Sequence, residues 1–308
     1  MISVVFPGQG SQKVGMGLDL YKKFDYVKAI FNDADNILGY KISEIILNGP
    51  QEKLSQTIFT QPSIYLIGHV ICEVLKKETN FFENKFHYFT GHSLGEYTAL
   101  TAANTISFEQ GLILLKHRGE AMQSAVPLGE GGMLAVLGIE TDEVKKIMSE
   151  NSKTIKCYIA NDNSKGQIIL SGKNDELNKF SLLLKEKKIK NIKLPVSAPF
   201  HCELMNNATL KMKNIINQEN FNDPIYKVVS NVTAEEYKNT DEIKKLLIQQ
   251  IESPVRWRES IEYMISNGTS TFVEIGPGKV LSSLIKRINR GVKVLNIDTL
   301  EDIQGINL

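Results

Sequence analysis

The chain has 308 residues, 42% hydrophobic and 23% charged, which is ordinary for a globular protein with one large domain or two unequal ones. Its 36 basic and 35 acidic residues leave a net charge of +1, which argues against a general nucleic-acid or membrane-surface role. No apolar run approaches the roughly 20 residues needed to cross a bilayer, and Met1 leads straight into a strand-like segment, so neither a leader peptide nor a membrane span is expected.

Ile2–Phe6 reads as a strand and ends in the loop Pro7-Gly8-Gln9-Gly10-Ser11-Gln12. Dinucleotide spacing would need Gly at position 13, which is Lys13, so the loop is better read as one that presents backbone N–H groups to a ligand. Residues 18–47 are helical with polar breaks. Thr60-Gln61-Pro62 then opens an apolar helix, Ser63 to Lys77, with Pro62 at an early helical position. Cys72, Cys157 and Cys202 are odd in number and lack C-x-x-C spacing, which fits a reducing cytoplasm better than a disulfide framework or a zinc site.

The aromatic run Phe86-His87-Tyr88-Phe89 reads as a strand. It leads into Gly91-His92-Ser93-Leu94-Gly95 and a helical segment through Asn104. Strand, G-x-S-x-G, helix is the pattern of a nucleophile elbow, in which a tight turn projects a serine hydroxyl away from the sheet. An ordinary Gly-Ser turn competes with that reading until a partner base is found. Ser107-Phe108-Glu109-Gln110 has the form of a capping box, and its helix runs to about Ala125. Phe108, Leu112, Leu115 and Met122 make one stripe on it, and Arg118 falls on the same stripe. An inward arginine is costly unless an anion meets it. The competing reading is a structural salt bridge, or a side chain snorkelling at the stripe's edge.

After the flexible junction Gly129–Gly132 the pattern changes to strand 133–138, helix 141–149, strand 155–160, a polar turn at 161–166, strand 167–171, helix 174–187 and strand 189–194. This β-α-β-β-α-β order is the split unit of ferredoxin-like domains. The expected fold is α/β: a large α/β-hydrolase-like domain with a mostly parallel sheet (1–125 and 197–308), carrying an inserted ferredoxin-like subdomain (126–196).

Pro195 and Pro199 make a fixed, non-helical loop that ends at His201-Cys202. Of His69, His87, His92, His117 and His201, the last is the choice of general base. His92 adjoins the serine in sequence, which is poor geometry for proton abstraction. Cys202 beside it reads as a packing residue, with a reactive thiol as the alternative. Helical segments at 203–216 and 242–252 enclose a strand near 227–230, and 271–275 is a further strand. Gly276-Pro277-Gly278-Lys279 then leads into the helix 280–289. It resembles a phosphate loop, yet Val273 and Val280 stand where Gly and Ser or Thr are required.

Jointly these pieces resemble the malonyl-CoA:acyl carrier protein transacylase family of bacterial fatty acid synthesis, which shares its fold with polyketide synthase acyltransferase domains. The matching segments are residues 6–12, 60–62, 91–97, 118–119, 198–202, 253–257 and 274–279, in the family's order along essentially the whole chain.

The resemblance implies that Ser93 is the nucleophile and His201 its base, with backbone carbonyl near Gln250 orienting the imidazole in place of a triad carboxylate. It implies an oxyanion hole from the backbone N–H groups of Gln9 and Leu94, and Arg118 as partner of the malonyl carboxylate. Gln61, His92, Met122, Phe200, Asn161, Asn163 and Gln250 complete the expected substrate contacts. Phe200 is expected to crowd the α-carbon and favour unsubstituted malonyl, and Asn161 and Asn163 to meet the pantetheine arm.

The donor and acceptor implied are malonyl-CoA and the phosphopantetheine thiol of acyl carrier protein, by ping-pong transfer with no resident cofactor or metal. Lys187, Lys188, Lys190, Lys286 and Arg287 are candidate docking residues for the acidic carrier. A cytoplasmic monomer is expected. A serine hydrolase using water, a trans-acting polyketide acyltransferase and a non-catalytic docking module are the rival readings.

Overall fold

The structure, a computed structural model, describes residues 1–196 and 198–306. Nine strands among these residues form two sheets. The strands are β1 (Ile2–Phe6), β2 (Phe86–Gly91), β3 (Gly131–Leu137), β4 (Cys157–Ser164), β5 (Gln167–Lys173), β6 (Lys190–Lys193), β7 (Lys227–Val228), β8 (Thr271–Ile275) and β9 (Lys293–Ile297).

The large domain holds β7-β2-β1-β8-β9, with every neighbouring pair parallel. Its central strands are buried on both faces, as helical crossovers require. Register aligns Phe6 with Gly91, and Val5 with Glu274. The loops after β1, β2 and β8 therefore open on one carboxyl edge, where open α/β sheets place their ligands.

The insertion holds the antiparallel order β4-β5-β3-β6, the arrangement of a ferredoxin-like unit. Leu177, Phe180 and Leu184 of helix Asn174–Glu186 pack with Val144 and Ile147 of helix Thr141–Glu150 over that sheet.

The polar segment expected as a turn at 161–166 is instead the end of β4, which runs to Ser164. Only Lys165-Gly166 turns, with Gly166 at φ 73°. The polar residues stay in the strand because the large domain answers them. Val255 donates to Ala160 O (2.8 Å) and accepts from Asp162 N–H (3.0 Å). Arg258 grips the Asp162 carboxylate with its closest contact at 2.8 Å.

The helix expected at Ser63–Lys77 spans Thr57–Glu78, which places Pro62 inside it. Proline there removes a helical hydrogen bond to Ile58. Tertiary packing holds the early turn: a Cβ on Gly119 would lie 3.0 Å from Ile58 Cα and from Thr57 O, so the two helices touch backbone to backbone. By length and composition this 22-residue helix could cross a membrane, contrary to the reading of the sequence, but most of it is buried in the core. Its apolar surface is taken up by the neighbouring helices Gly95–Ala102 and Phe108–Gln123.

Candidate active site

Ser93 sits where β2 ends and helix Gly95–Ala102 begins, with φ 54°. A left-handed φ is uncommon for a non-glycine residue and persists only when its surroundings hold it. Here Asn231 does so. Its Oδ1 accepts from Ser93 N–H (2.7 Å) and its Nδ2 donates to Gly91 O (2.8 Å). The flanking glycines are required by close approach. A Cβ on Gly91 would lie 1.9 Å from the carbonyl carbon of Gly95, and one on Gly95 would lie 2.2 Å from Phe6 O.

His201 arrives from the loop after the insertion, 108 positions along the chain, and also has a left-handed φ of 60°. Ser171 Oγ donates to Phe200 O (2.5 Å) and Cys202 Sγ to Pro199 O (3.1 Å), which fixes the loop. His201 Nε2 lies 2.9 Å from Ser93 Oγ, and Nδ1 lies 2.8 Å from Gln250 O. A carbonyl can only accept, so Nδ1 carries the proton and Nε2 presents its lone pair to the serine. Burial, and then the charge of Arg118, push the imidazole pKa down to about 3, against the pull of the Gln250 carbonyl. The ring is therefore a neutral base. The Cys202 thiol is buried, pushed up to about 12 by that burial, and bonded to Pro199 O, which is the packing role.

Arg118 is 1% exposed and reaches the same point. Its Nη2 donates to Ser93 Oγ (3.0 Å) and Gln250 Oε1 (2.8 Å), and its Nη1 to Gln61 Oε1 (2.6 Å). The guanidinium carbon stands 5.7 Å from the Tyr97 ring centre. Among the described residues no carboxylate pairs with it, and its Nε has no partner. The salt-bridge reading of the inward arginine therefore fails, and a buried positive charge is left facing Ser93 Oγ.

A cavity of about 400 Å³ opens between the two sheets at this point. Gln9, Gln61, His92, Ser93, Leu94, Arg118, Met122, Asn161, Asn163, Phe200 and His201 all line it. Gln250 does not; it is buried behind Arg118, bonding Arg118 through its side chain and His201 through its backbone. Asn163 Oδ1 is taken by His92 Nε2 (2.9 Å), so His92 braces the insertion. Gln61 Nε2 contacts Met122 Sδ at 3.7 Å.

Of the expected docking cations, Lys286 Nζ is engaged with Val292 O (2.5 Å). Arg287 contacts Gln167, a lining residue, at 2.7 Å. Among the described residues no cluster of three His, Cys, Asp or Glu is placed to hold a metal.

Three residues escaped the reading of the sequence: Asn231, Glu96 and Tyr237. Glu96 is 1% exposed and accepts from Gln250 Nε2 (2.6 Å), Asn231 N–H (3.2 Å) and the Tyr237 hydroxyl. Burial pushes its carboxyl up to about 7 against those donors. One signal was available: Glu96 is the single charge in helix Gly95–Ala102, as anomalous there as Arg118 is on its stripe. Nothing marks Asn231 in advance.

A family model described as "Acyl transferase domain" matches residues 4–301. The chain is 40% identical over 307 residues to a malonyl CoA-acyl carrier protein transacylase of Bacillus subtilis, covering 98% of this chain and 95% of that protein. It is similar to the crystal structure of an acyl-carrier-protein-S-malonyltransferase from Bartonella henselae, with TM-score 0.95, 39% identity, and 98% and 97% of the two chains covered. It is also similar to a malonyl-transacylase solved in complex with its type II PKS acyl-carrier protein, with TM-score 0.94, 33% identity, and coverage of 98% and 97%.

Proposed function

The chain belongs to the acyl transferase domain family, and from that premise we propose that it moves a malonyl group from malonyl-CoA to the phosphopantetheine thiol of acyl carrier protein, through an ester on Ser93. One observation carries the choice of acyl group. A buried guanidinium with no carboxylate partner lies 3.0 Å from the attacking oxygen. A half-ester of a diacid supplies the missing anion at that spot; an acetyl group leaves it unpaired.

The contacts among Ser93, His201 and Arg118 support the following steps. His201 Nε2 takes the proton of Ser93 Oγ as the oxygen attacks the thioester carbonyl. The oxyanion is met by the backbone N–H groups of Gln9 and Leu94, both lining residues, at the positive end of helix Gly95–Ala102. The carbon–sulfur bond breaks, and His201 returns the proton to the departing CoA thiolate. The malonyl ester then rests with its free carboxylate against Arg118. In the second half, His201 takes the proton of the pantetheine thiol, the sulfur attacks the ester, and Ser93 leaves and regains its proton. This is ping-pong transfer: donor and acceptor share one arm and one cavity. Phe200, 6% exposed beside His201, narrows the space at the α-carbon and favours unsubstituted malonyl.

The same reading has one chain acting alone, since it supplies nucleophile, base and arginine together. A reducing cytoplasm suits its three free cysteines. The role in fatty acid synthesis rests on the resemblance; the relatives' names support the malonyl donor and the carrier acceptor.

Intact mass after mixing with malonyl-CoA, acetyl-CoA or methylmalonyl-CoA tests the reading. A malonyl adduct is expected, absent in Ser93→Ala and discharged by carrier faster than by water. No adduct, equal labelling by all three donors, or discharge to water alone would overturn it.

A further inference from the structure

We propose that Glu96 is a positioning residue of the transfer site: its carboxylate fixes the Gln250 amide, and that amide aims Arg118 at the substrate carboxylate. The inference rests on the malonyl-transfer reading above and deepens it.

Gln250 has a donor end and an acceptor end, and the site needs them in one order. Its Nε2 lies 2.6 Å from Glu96 Oε2 and 3.1 Å from Ser93 O, with Asn231 Oδ1 further off at 3.4 Å. Its Oε1 lies 2.8 Å from Arg118 Nη2. Arginine only donates, so a flipped amide would set two donors against each other at that distance. The contact to Glu96 Oε2 is the shortest of the three, and so the firmest of the bonds holding Nε2 inward. With that bond gone, Gln250 Nε2 keeps only the longer contacts to Ser93 O and Asn231 Oδ1, and the hold of Oε1 on Arg118 loosens, leaving Gln61 as its firm guide.

Placement one residue away has a second consequence. A carboxylate touching the guanidinium would already satisfy it and would compete with the substrate. Glu96 acts on Arg118 through the amide and leaves the guanidinium free to meet an incoming anion. It also holds Asn231, which holds Ser93 N–H, so nucleophile and arginine are set by one group. If Glu96 merely supported the fold, its loss would depress every donor alike.

The test compares single-turnover acylation of Ser93 by malonyl-CoA and by acetyl-CoA. In Glu96→Ala, the malonyl-to-acetyl ratio of kcat/KM should fall about tenfold or more, whatever loss the two donors share through Asn231 and Ser93. Glu96→Gln keeps a carbonyl oxygen for Gln250 Nε2, and should bring the malonyl-to-acetyl ratio back to within about threefold of wild type. Gln250→Met cuts the same link from the other side while keeping the backbone carbonyl under His201. It should repeat the loss, and it carries the test if Glu96→Ala does not fold. An unchanged ratio in either folded variant, or a Gln variant no better than Ala, overturns the inference. Wild type separates the two claims: without a malonyl adduct on it the parent reading fails, whereas an adduct with an unmoved ratio in the variants removes only Glu96.

Discussion

Two strand-loop-helix junctions flank β1 on the carboxyl edge of the parallel sheet; the β2 junction puts His92, Ser93 and Leu94 into the cavity wall, the β8 junction Val280 alone. β2 runs through Gly91–Gly95 into helix Gly95–Ala102. β8 runs through Gly276–Lys279 into helix Val280–Ile288. Both are glycine-rich, and both aim a helix N-terminus at the same edge. At the β8 junction the buried Glu274 carboxylate accepts from Leu281 N–H (3.0 Å) and Ser282 N–H (2.7 Å). Two of the helix N–H groups that a phosphate would use are already taken by that carboxylate. At the β2 junction, among the described residues, no carboxylate accepts from the first N–H groups of the helix. Ser93 lies there, and among the described residues no carbonyl accepts from the Leu94 N–H. Its carboxylate, Glu96, lies beneath the turn and bonds Gln250 and Asn231. Moving one buried acid from above the helix end to below it separates a closed structural cap from an open reaction site.

Removing the open site's own groups should have the largest effect. Ser93→Ala and His201→Ala should each lower malonyl transfer by about a thousandfold or more in stopped-flow assays, with melting temperature little changed. A fall of only a few-fold would mean that the junction's exposure is not what makes it reactive.

Arg118→Ala comes next. The guanidinium gives hydrogen bonds to a charged group worth about 1.5–3 kcal/mol each, and losing ~3 kcal/mol is about a hundredfold. Malonyl acylation should fall by about that factor, while acetyl acylation survives or rises. Equal loss with both donors would make Arg118 part of the scaffold, like Glu274.

Breaking the closed junction should leave chemistry alone. Glu274→Ala strips two N–H partners from the start of helix Val280–Ile288, and should cost about 1–3 kcal/mol in urea unfolding. The kcat/KM of the folded fraction should stay within about twofold. A larger kinetic effect would mean that the two junctions are coupled.

Much of this was legible in the residues. Ser93 stood in G-H-S-L-G, His201 followed two prolines, and Arg118 broke an apolar stripe, and these three meet in the structure. The insertion showed in the switch between periods of two and of 3.6. What stayed hidden depends on partners distant in sequence. Asn161–Ser164 read as a turn because their polar side chains gave no hint of Val255, Arg258 and His92. Pro62 read as a helix start because Gly119, whose contact stabilises the earlier turn, lies on another helix. Glu96 and Gln250 are 154 positions apart, and neither announces the other.

The smallest effect separates the two junctions by pH. His201 is held at about 3, below its ordinary 6.5, so between those values the unfolded chain binds more protons than the native one. Its contribution to stability is present above about 6.5 and is lost as pH falls toward 3. Glu96, raised from 4.5 to about 7, acts the other way. Its contribution is present below about 4.5 and is lost as pH rises through 7. The open junction thus carries two opposed slopes, whereas Glu274, also raised by burial, gives the closed junction one. His201→Gln should uncover the Glu96 slope, with stability falling more steeply from about pH 4.5 to 7 than in wild type. In wild type, kcat/KM for malonyl-CoA should show no inflection near 6.5, because the base is already neutral there. An acid limb centred at 6.5 would mean an imidazole as exposed as an ordinary histidine, and the buried arrangement of Ser93, His201 and Arg118 would not be the working one.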